Sequence, residues 1–475
     1  MPGGALLQLV AYGAQDVYLT GKPTVTFFQT VYKRHTNFAM EAIPQTLAGQ
    51  PNPGGLVSVT LARTGDLIGD MWVTLQPTPT SSAQLTSNNN VADMNWVAER
   101  AFSSVELFIG GQSIDKHYQL WFRLYAECFL DESKKYNYGK LTSMPVPNNV
   151  NQTSTAYAYL PLIFFFNRNP GLFLPLIALQ YHEVRIDFTL TSTYANYFGS
   201  NPPAVWANYM YLDKEERDKF ATKNQEYLIE QVQYVNGDPV GTSTENTPSV
   251  IRMQYNHPVK ELIWVYQNSA PSSNPNAMWN FCSNVANVNV TIDTNKLAQS
   301  GSLSQPHNTG CPNLYIPSVL SSPLYSTAAG SVAQYGTIYA QSNVLVGNVL
   351  WVEGGLPQYG TANVTYGQEV GPLHKFKLIL NGTDRAAEQY GKYYNQYQPY
   401  QYHTGHPYPG IYMYSFALKP EELQPSGACN FSRIDMAQVA ISLKTGMPSL
   451  VQQMFAVNYN ILRIASGMGG LAFAN

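Results

Sequence analysis

Charge is what this sequence has least of. Asp, Glu, Lys and Arg make up 12% of its 475 residues, against roughly a quarter in an ordinary soluble domain. Low charge can mark membrane burial, but no stretch approaches the ~18 consecutive apolar residues of a spanning helix. Mean hydropathy is −0.20, so Asn, Gln, Ser, Thr and Tyr stand where charges would. Cysteine is scarce too: Cys128, Cys282, Cys311 and Cys429 are scattered with no CxxC pair. They read as free thiols of a chain made in a reducing compartment, with no zinc site. No basic block exists and the net charge is −3. Phosphate binding needs clustered Lys and Arg, so extensive direct contact with nucleic acid is not expected. Lys33-Arg34-His35 is a small basic patch that reads as solvated or interface-facing. Pro2 to Gly13 lack a positively charged n-region, so no signal peptide is expected.

Catalytic signatures are equally thin. His403-Thr404-Gly405-His406 places two histidines at i, i+3, but no further ligand stands at fixed spacing, and a polar loop is the simpler reading. Asp115-Lys116-His117 offers an acid and a base without a nucleophile motif such as GxSxG. Asp66 and Asp70 read as turn residues. Ser466 to Gly470 is glycine-rich but lacks the Lys-Ser/Thr of a phosphate cradle, and reads as a flexible tail. No catalytic, cofactor-binding or metal-binding residue is assigned, and no cofactor is expected.

What the chain has in quantity is tyrosine, 34 residues, a side chain with an apolar body and a polar tip that is enriched at protein interfaces. Such a surface suits contact with copies of itself. Pro161 to Leu190 shows the dominant local pattern. An apolar run, Leu160 to Phe166, precedes the turn signal Asn167-Arg168-Asn169-Pro170-Gly171. Then Val184, Ile186, Phe188 and Leu190 alternate with Arg185, Asp187 and Thr189, the period of a half-buried strand. The expectation is strand, turn, buried segment, strand, with no helix between.

The chain divides into an arm at 1–23, a strand-rich half at 24–212 and a charged segment at 213–225. A second strand-rich half at 226–462 carries a long loop insertion at 267–372, and a tail follows at 463–475. Strand signals start at Thr24 to Phe28, and Ile114 to Leu130 is expected to hold a short helix. Asp213 to Asn224 reads as a linker or a short surface helix. The halves echo each other: Val105 to Gly111 resembles Phe376 to Gly382, and Arg185-Ile186-Asp187 resembles Arg433-Ile434-Asp435. Two tandem copies of one β-sandwich would give this order. Both Arg/Asp pairs are expected in strands. Five N-x-Ser/Thr sequons occur, at Asn151, Asn289, Asn363, Asn381 and Asn430. Asn289, Asn363 and Asn151 are the glycosylation candidates, whereas Asn381 and Asn430 read as turn residues.

Several long runs resemble one family. Gly4 to Asn37, Ile109 to Phe122, Pro161 to Leu190, Tyr227 to Gln231, Tyr414 to Asp435 and Asn458 to Asn475 resemble, in order, the major capsid protein of nucleocytoplasmic large double-stranded DNA viruses, including the algal viruses. The resemblance implies an all-β double jelly roll, two tandem eight-stranded antiparallel β-sandwiches with short helices in loops. It further implies a homotrimer that is a pseudo-hexagonal capsomer. Its partners would be neighbouring capsomers, minor capsid and penton proteins, and possible proximity to an inner viral membrane. The location would be the virion, assembled in the host cytoplasm, with glycosylated surfaces and no enzymatic role. The competing reading is a virion surface or carbohydrate-binding β-sandwich protein, which should carry paired carboxylates on adjacent strands.

Overall fold

The computed structural model describes residues 3–77, 96–143, 157–235, 237–241, 247–268, 371–405, 407, 410–444 and 450–473, together with the backbone of Asn287–Ile292 and Ala333–Tyr339. The cysteines at 282 and 311, the histidine at 406 and the sequons at 151 and 363 lie outside the described residues, as does most of 267–372.

The first unit, Met1–Phe38, holds two short helices, α1 (Gly4–Val10) and α2 (Val17–Thr20), neither with a buried residue. The strand expected at Thr24 to Phe28 does not form: Phe27 and Phe28 are 94% and 98% exposed. Strand residues need a neighbour to complete their backbone ladder. Phe28 N has only the Thr26 hydroxyl, at 3.3 Å. The first strand starts instead at Phe38.

The second unit, Ala39–Asn475, contains both strand-rich halves. In the first half the strands are β1 (Phe38–Pro44), β2 (Leu47–Ala48), β3 (Leu56–Thr60), β4 (Leu67–Leu75), β5 (Phe102–Ile109), β6 (Gln112–Tyr118), β7 (Ala158–Pro161), β8 (Leu174–Pro175), β9 (Val184–Leu190) and β10 (Ala204–Leu212). They form two antiparallel sheets, β1-β10-β4-β7 with β8 beside β4, and β2-β3-β9-β5-β6. The second half runs β11 (Gln225–Tyr234), β12 (Asp238–Gly241), β13 (Ser249–Met253), β14 (Pro258–Asn268), β15 (Asn287–Ile292), β16 (Ala333–Tyr339), β17 (Leu373–Leu380), β18 (Thr383–Asp384), β19 (Gln389–Tyr390), β20 (Ile411–Ser415), β21 (Cys429–Asn430), β22 (Ala437–Leu443), β23 (Leu450–Ala465) and β24 (Met468–Leu471). Its main sheets are β11-β23-β14-β20, with β21 beside β14, and β13-β22-β17-β18.

The two orders superpose strand for strand. β1, β10, β4, β7 and β8 correspond to β11, β23, β14, β20 and β21, while β3, β9, β5 and β6 correspond to β13, β22, β17 and β18. Facing antiparallel sheets repeated in this way are two jelly rolls in tandem. The repeated hairpins match in detail. Gly110 and Gly111 take φ of 58° and 82°, and Asn381 and Gly382 take 49° and 77°. Two successive positive φ values match the twist of the flanking strands.

Several expectations are corrected. Only the first part of the apolar run is a strand: α5 (Phe165–Arg168) and a 3₁₀ turn at Pro170–Leu172 follow β7. The Asn167 side chain accepts from Phe164 N, so the turn residue caps a helix. Ile114 to Leu130 is shared between β6 and α3 (Gln119–Phe129), with α4 (Glu132–Thr142) after it. The charged segment, by contrast, takes one of its two expected forms, a short surface helix: α7 (Lys214–Thr222), with no buried residue and capped by the Asp213 carboxylate, after the short α6 (Tyr194–Phe198). Asp70 lies inside β4, not in a turn. Arg433 and Asp435 precede β22 and are not in a strand. The true counterpart of Ile186, which pairs with Leu107, is Val439, which pairs with Leu378. The glycine-rich tail is ordered as the β23–β24 hairpin.

Candidate functional site: the seam between the rolls

The sheet β11-β23-β14-β20 is buried on both faces. Leu262, Trp264, Tyr412 and Ala456 face the core of the second roll. Ile263, Val265, Ile411, Met413, Phe455 and Val457 belong to the core of the first roll. Strand alternation sends successive side chains to opposite faces, so β14 has two cores to satisfy. The first roll reaches this face with α3: the Trp121 ring lies 5.5 Å from Phe455, and Tyr118 at the end of β6 lies 6.5 Å from it. One apolar core therefore runs from the first roll onto this face of the second, which keeps its own core on the opposite face.

Charges are embedded in that seam, and the sequence had singled out one of them, His403, only as part of a polar loop. Lys260 and Glu261 sit inside β14 at 1% and 0% exposure. Lys260 Nζ lies 2.5 Å from Glu230 Oε1 and donates to Pro420 O at 2.7 Å. Arg168, at the end of α5 in the first roll, donates to the other Glu230 oxygen at 2.9 Å. Burial alone would raise Glu230, but the two cations hold its carboxyl below the usual range. His403 Nε2 lies 3.0 Å from Glu261 Oε2, and its Nδ1 lies 3.1 Å from Cys128 O of α3 and 3.4 Å from Glu421. Burial alone would lower His403, yet Glu261 and Glu421 raise it to about 9. Glu421 is also held down by His403 and by the Thr404 N–H at 3.0 Å. Three cations thus meet three carboxylates, which limits the desolvation cost of burying them.

A second polar seam joins β6 to β11. Asp115 Oδ1 accepts from Val232 N at 3.0 Å, and its other oxygen lies 2.8 Å from His117. His117 stacks on Phe164 at 4.6 Å, and Gln231 donates to Ile114 O. The Asp115/His117 acid–base pair is thus part of the joint. β24 adds a clasp, with Tyr181 N donating to Gly467 O at 2.9 Å and Leu471 N to Gln112 at 3.1 Å.

The remaining candidates fall elsewhere. Asp66 accepts from Leu212 N and pairs with Arg217, tying the start of β4 to α7. His35 Nδ1 donates to the neighbouring Thr36 carbonyl at 2.8 Å within the first unit. Cys128 and Cys429 are free thiols. Among the described residues no group of three or more His, Cys, Asp or Glu is arranged to hold a metal, and no helix is long and apolar enough to cross a membrane. Asn381 takes the positive-φ turn position and accepts from Met436 N, and Asn430 caps Ser432 N. Asn289 lies in β15, whose pairing with β16 shifts register between Val288 and Val290. A cavity of about 320 Å³ opens beside the charged network between Tyr125, Phe129, Arg168, Lys260 and Leu423. The cations on its wall are engaged by Glu230.

Two equivalent rolls joined by a continuous apolar core and a charge-balanced joint make a double jelly roll, a class of β-protein used in shells. The comparisons give the family. "Large eukaryotic DNA virus major capsid protein" matches residues 216–470, and "Major capsid protein N-terminus" matches 26–213. The major capsid protein of Paramecium bursaria Chlorella virus 1 is 40% identical, covering 99% of this chain and 100% of its own. That of Phaeocystis pouchetii virus is 36% identical over 99% and 100%. Among solved structures, the quasi-atomic model of the PBCV-1 virus capsid has a TM-score of 0.68 at 36% identity, covering 95% and 100%. The Faustovirus major capsid protein shares the fold, at a TM-score of 0.59 and 12% identity. The chain belongs to the major capsid protein family of large eukaryotic DNA viruses.

Proposed function

We propose that this major capsid protein, a structural component of the virion, works as a trimer in which six rolls make one pseudo-hexagonal block. The observation that carries this reading is the strand-for-strand repetition of the two rolls, joined by a continuous apolar core. A chain with two near-equivalent halves presents six near-equivalent sides from a threefold arrangement, so one kind of contact can serve sixfold packing. The blocks tile with neighbouring capsomers, and minor capsid and penton proteins fill the joints and vertices. The inner side of the shell lies near a viral membrane, and assembly takes place in the host cytoplasm. Shell formation, with no turnover of a substrate, is the whole of the role. The proposed division remains arm, first roll, α7 linker and second roll with its loop insertion. Asn289, Asn363 and Asn151 are the proposed glycan acceptors, tested by glycopeptide mass spectrometry of virions: unmodified peptides at all three would remove them.

Light scattering of the purified chain tests the trimer. Three copies of the 52.8 kDa chain give about 160 kDa. A species of about 53 kDa at micromolar concentration would overturn it.

A further inference from the structure

The seam inside the chain has a counterpart that is uncovered among the described residues. The ladders of the two equivalent sheets align residue by residue. Ile68 pairs with Leu174 and Tyr209 where Val259 pairs with Cys429 and Asn458. Both sheets shift register just beyond this point, between Ala207 and Tyr209 and between Val259 and Glu261. Past the shift, Trp72 pairs with Trp206 and Pro161 where Ile263 pairs with Phe455 and Met413. Thr74 pairs with Tyr159 where Val265 pairs with Ile411. In the second roll these positions are sealed: Ile263, Val265, Ile411 and Phe455 are all at 0% exposure, under α3. In the first roll Trp72 and Trp206 are only half-buried, stacked on each other at 6.3 Å and 2° between planes, and Tyr159 is exposed.

The cover has a counterpart as well. α3 follows the β5–β6 hairpin. After the equivalent β17–β18 hairpin the chain forms a π-type turn at Tyr393–Tyr397 that runs into α8 (Gln398–Tyr402). Read as YYNQYQPYQY, it contains no charged residue. Tyr390, Tyr397 and Tyr400 are 59%, 53% and 84% exposed.

We propose that the Trp72/Trp206 face of one chain receives the tyrosine-rich segment Tyr393–Tyr402 of a second copy, repeating between chains the contact that α3 makes with Phe455 within one. Each chain then carries one donor and one acceptor, a head-to-tail interface that closes into a ring when the rotation permits. Trp and Tyr are the residues that dominate binding energy at such contacts. This assignment rests on the trimer reading above and gives it a surface.

The test compares the wild-type chain with Trp206→Glu and Tyr400→Glu by light scattering over a dilution series, with circular dichroism and thermal unfolding as folding controls. Each variant is expected to fold and to dissociate at concentrations roughly thirtyfold above wild type or more. Variants that keep the wild-type trimer and dilution behaviour would overturn the docking assignment while leaving the trimer standing. A wild-type chain that is itself monomeric would remove both. Should a variant fail to fold, a photo-crosslinking phenylalanine analogue at Tyr400 in the otherwise native chain decides the matter. Adducts between chains on peptides containing Trp72 or Trp206 support the assignment, and adducts confined to other surfaces overturn it.

Discussion

Raising the pH should loosen the joint between the rolls through His403. In the folded chain its imidazolium faces Glu261 on β14 and Glu421 after β20, with the Cys128 carbonyl and the Phe129 ring edge on α3. Its pKa stands at about 9 against an ordinary 6.5. The folded state therefore binds a proton more tightly than the unfolded state. That contribution is complete below pH 6.5 and is lost as the pH rises through 9. The difference corresponds to ~3 kcal/mol, falling at about 1.4 kcal/mol per pH unit inside the window. Burial pushes the Cys128 thiol well above its ordinary value, so its own loss begins only near pH 9. Chemical denaturation of the wild-type chain and His403→Gln between pH 6 and 8.5 isolates the histidine. Wild type should lose stability across this range, and the variant should start lower and stay nearly flat. Parallel curves for the two proteins, or a wild-type curve that rises with pH, would refute the reasoning.

Phe455→Ala should cost ~3–5 kcal/mol because it empties a fully buried site between Trp121 and Tyr234. Its calorimetric trace should broaden or split as the rolls uncouple, whereas a single sharp transition at the wild-type Tm would contradict the continuous core. Arg123→Met should cost ~3–5 kcal/mol in denaturant titrations by removing the buried cation 2.7 Å from Glu127 and 3.6 Å from Glu99, with Lys135 left at 3.9 Å from Glu127. Glu99→Gln should remove a stability loss of ~2 kcal/mol between pH 4.5 and 6, because burial, only partly opposed by Arg123 and Tyr138, raises that carboxyl to about 6. A wild-type profile unchanged by the substitution would refute this.

The alternation of Val184, Ile186, Phe188 and Leu190 was legible because one face of β9 is core and the other is not. The paired hairpins were legible because Gly-Gly and Asn-Gly carry their backbone geometry in their composition. The Arg-x-Asp echo was misleading, since the second copy lies just ahead of its strand. The helix at Phe165 was hidden because three phenylalanines favour strand by propensity, while the Asn167 cap and the surrounding core favour a helical turn. The charged joint had one faint signal, Lys260-Glu261 beside the apolar run Leu262 to Tyr266. Its partners Arg168, Glu230, His403 and Glu421 are far apart in the chain and meet only once the rolls are docked. The tail at 463–473 looked loose because glycine weakens isolated strands. Here Gly469 lets the backbone lie against Leu179 and Ile109, where a Cβ would meet those side chains at 2.7 and 3.1 Å.

The most direct measurement is electron cryomicroscopy of assembled particles at a resolution that traces the chain through one capsomer. The account predicts blocks of three chains and six rolls, each chain running from roll to roll through the α3–Phe455 joint. Blocks made of six chains, or rolls of one chain divided between two blocks, would contradict it.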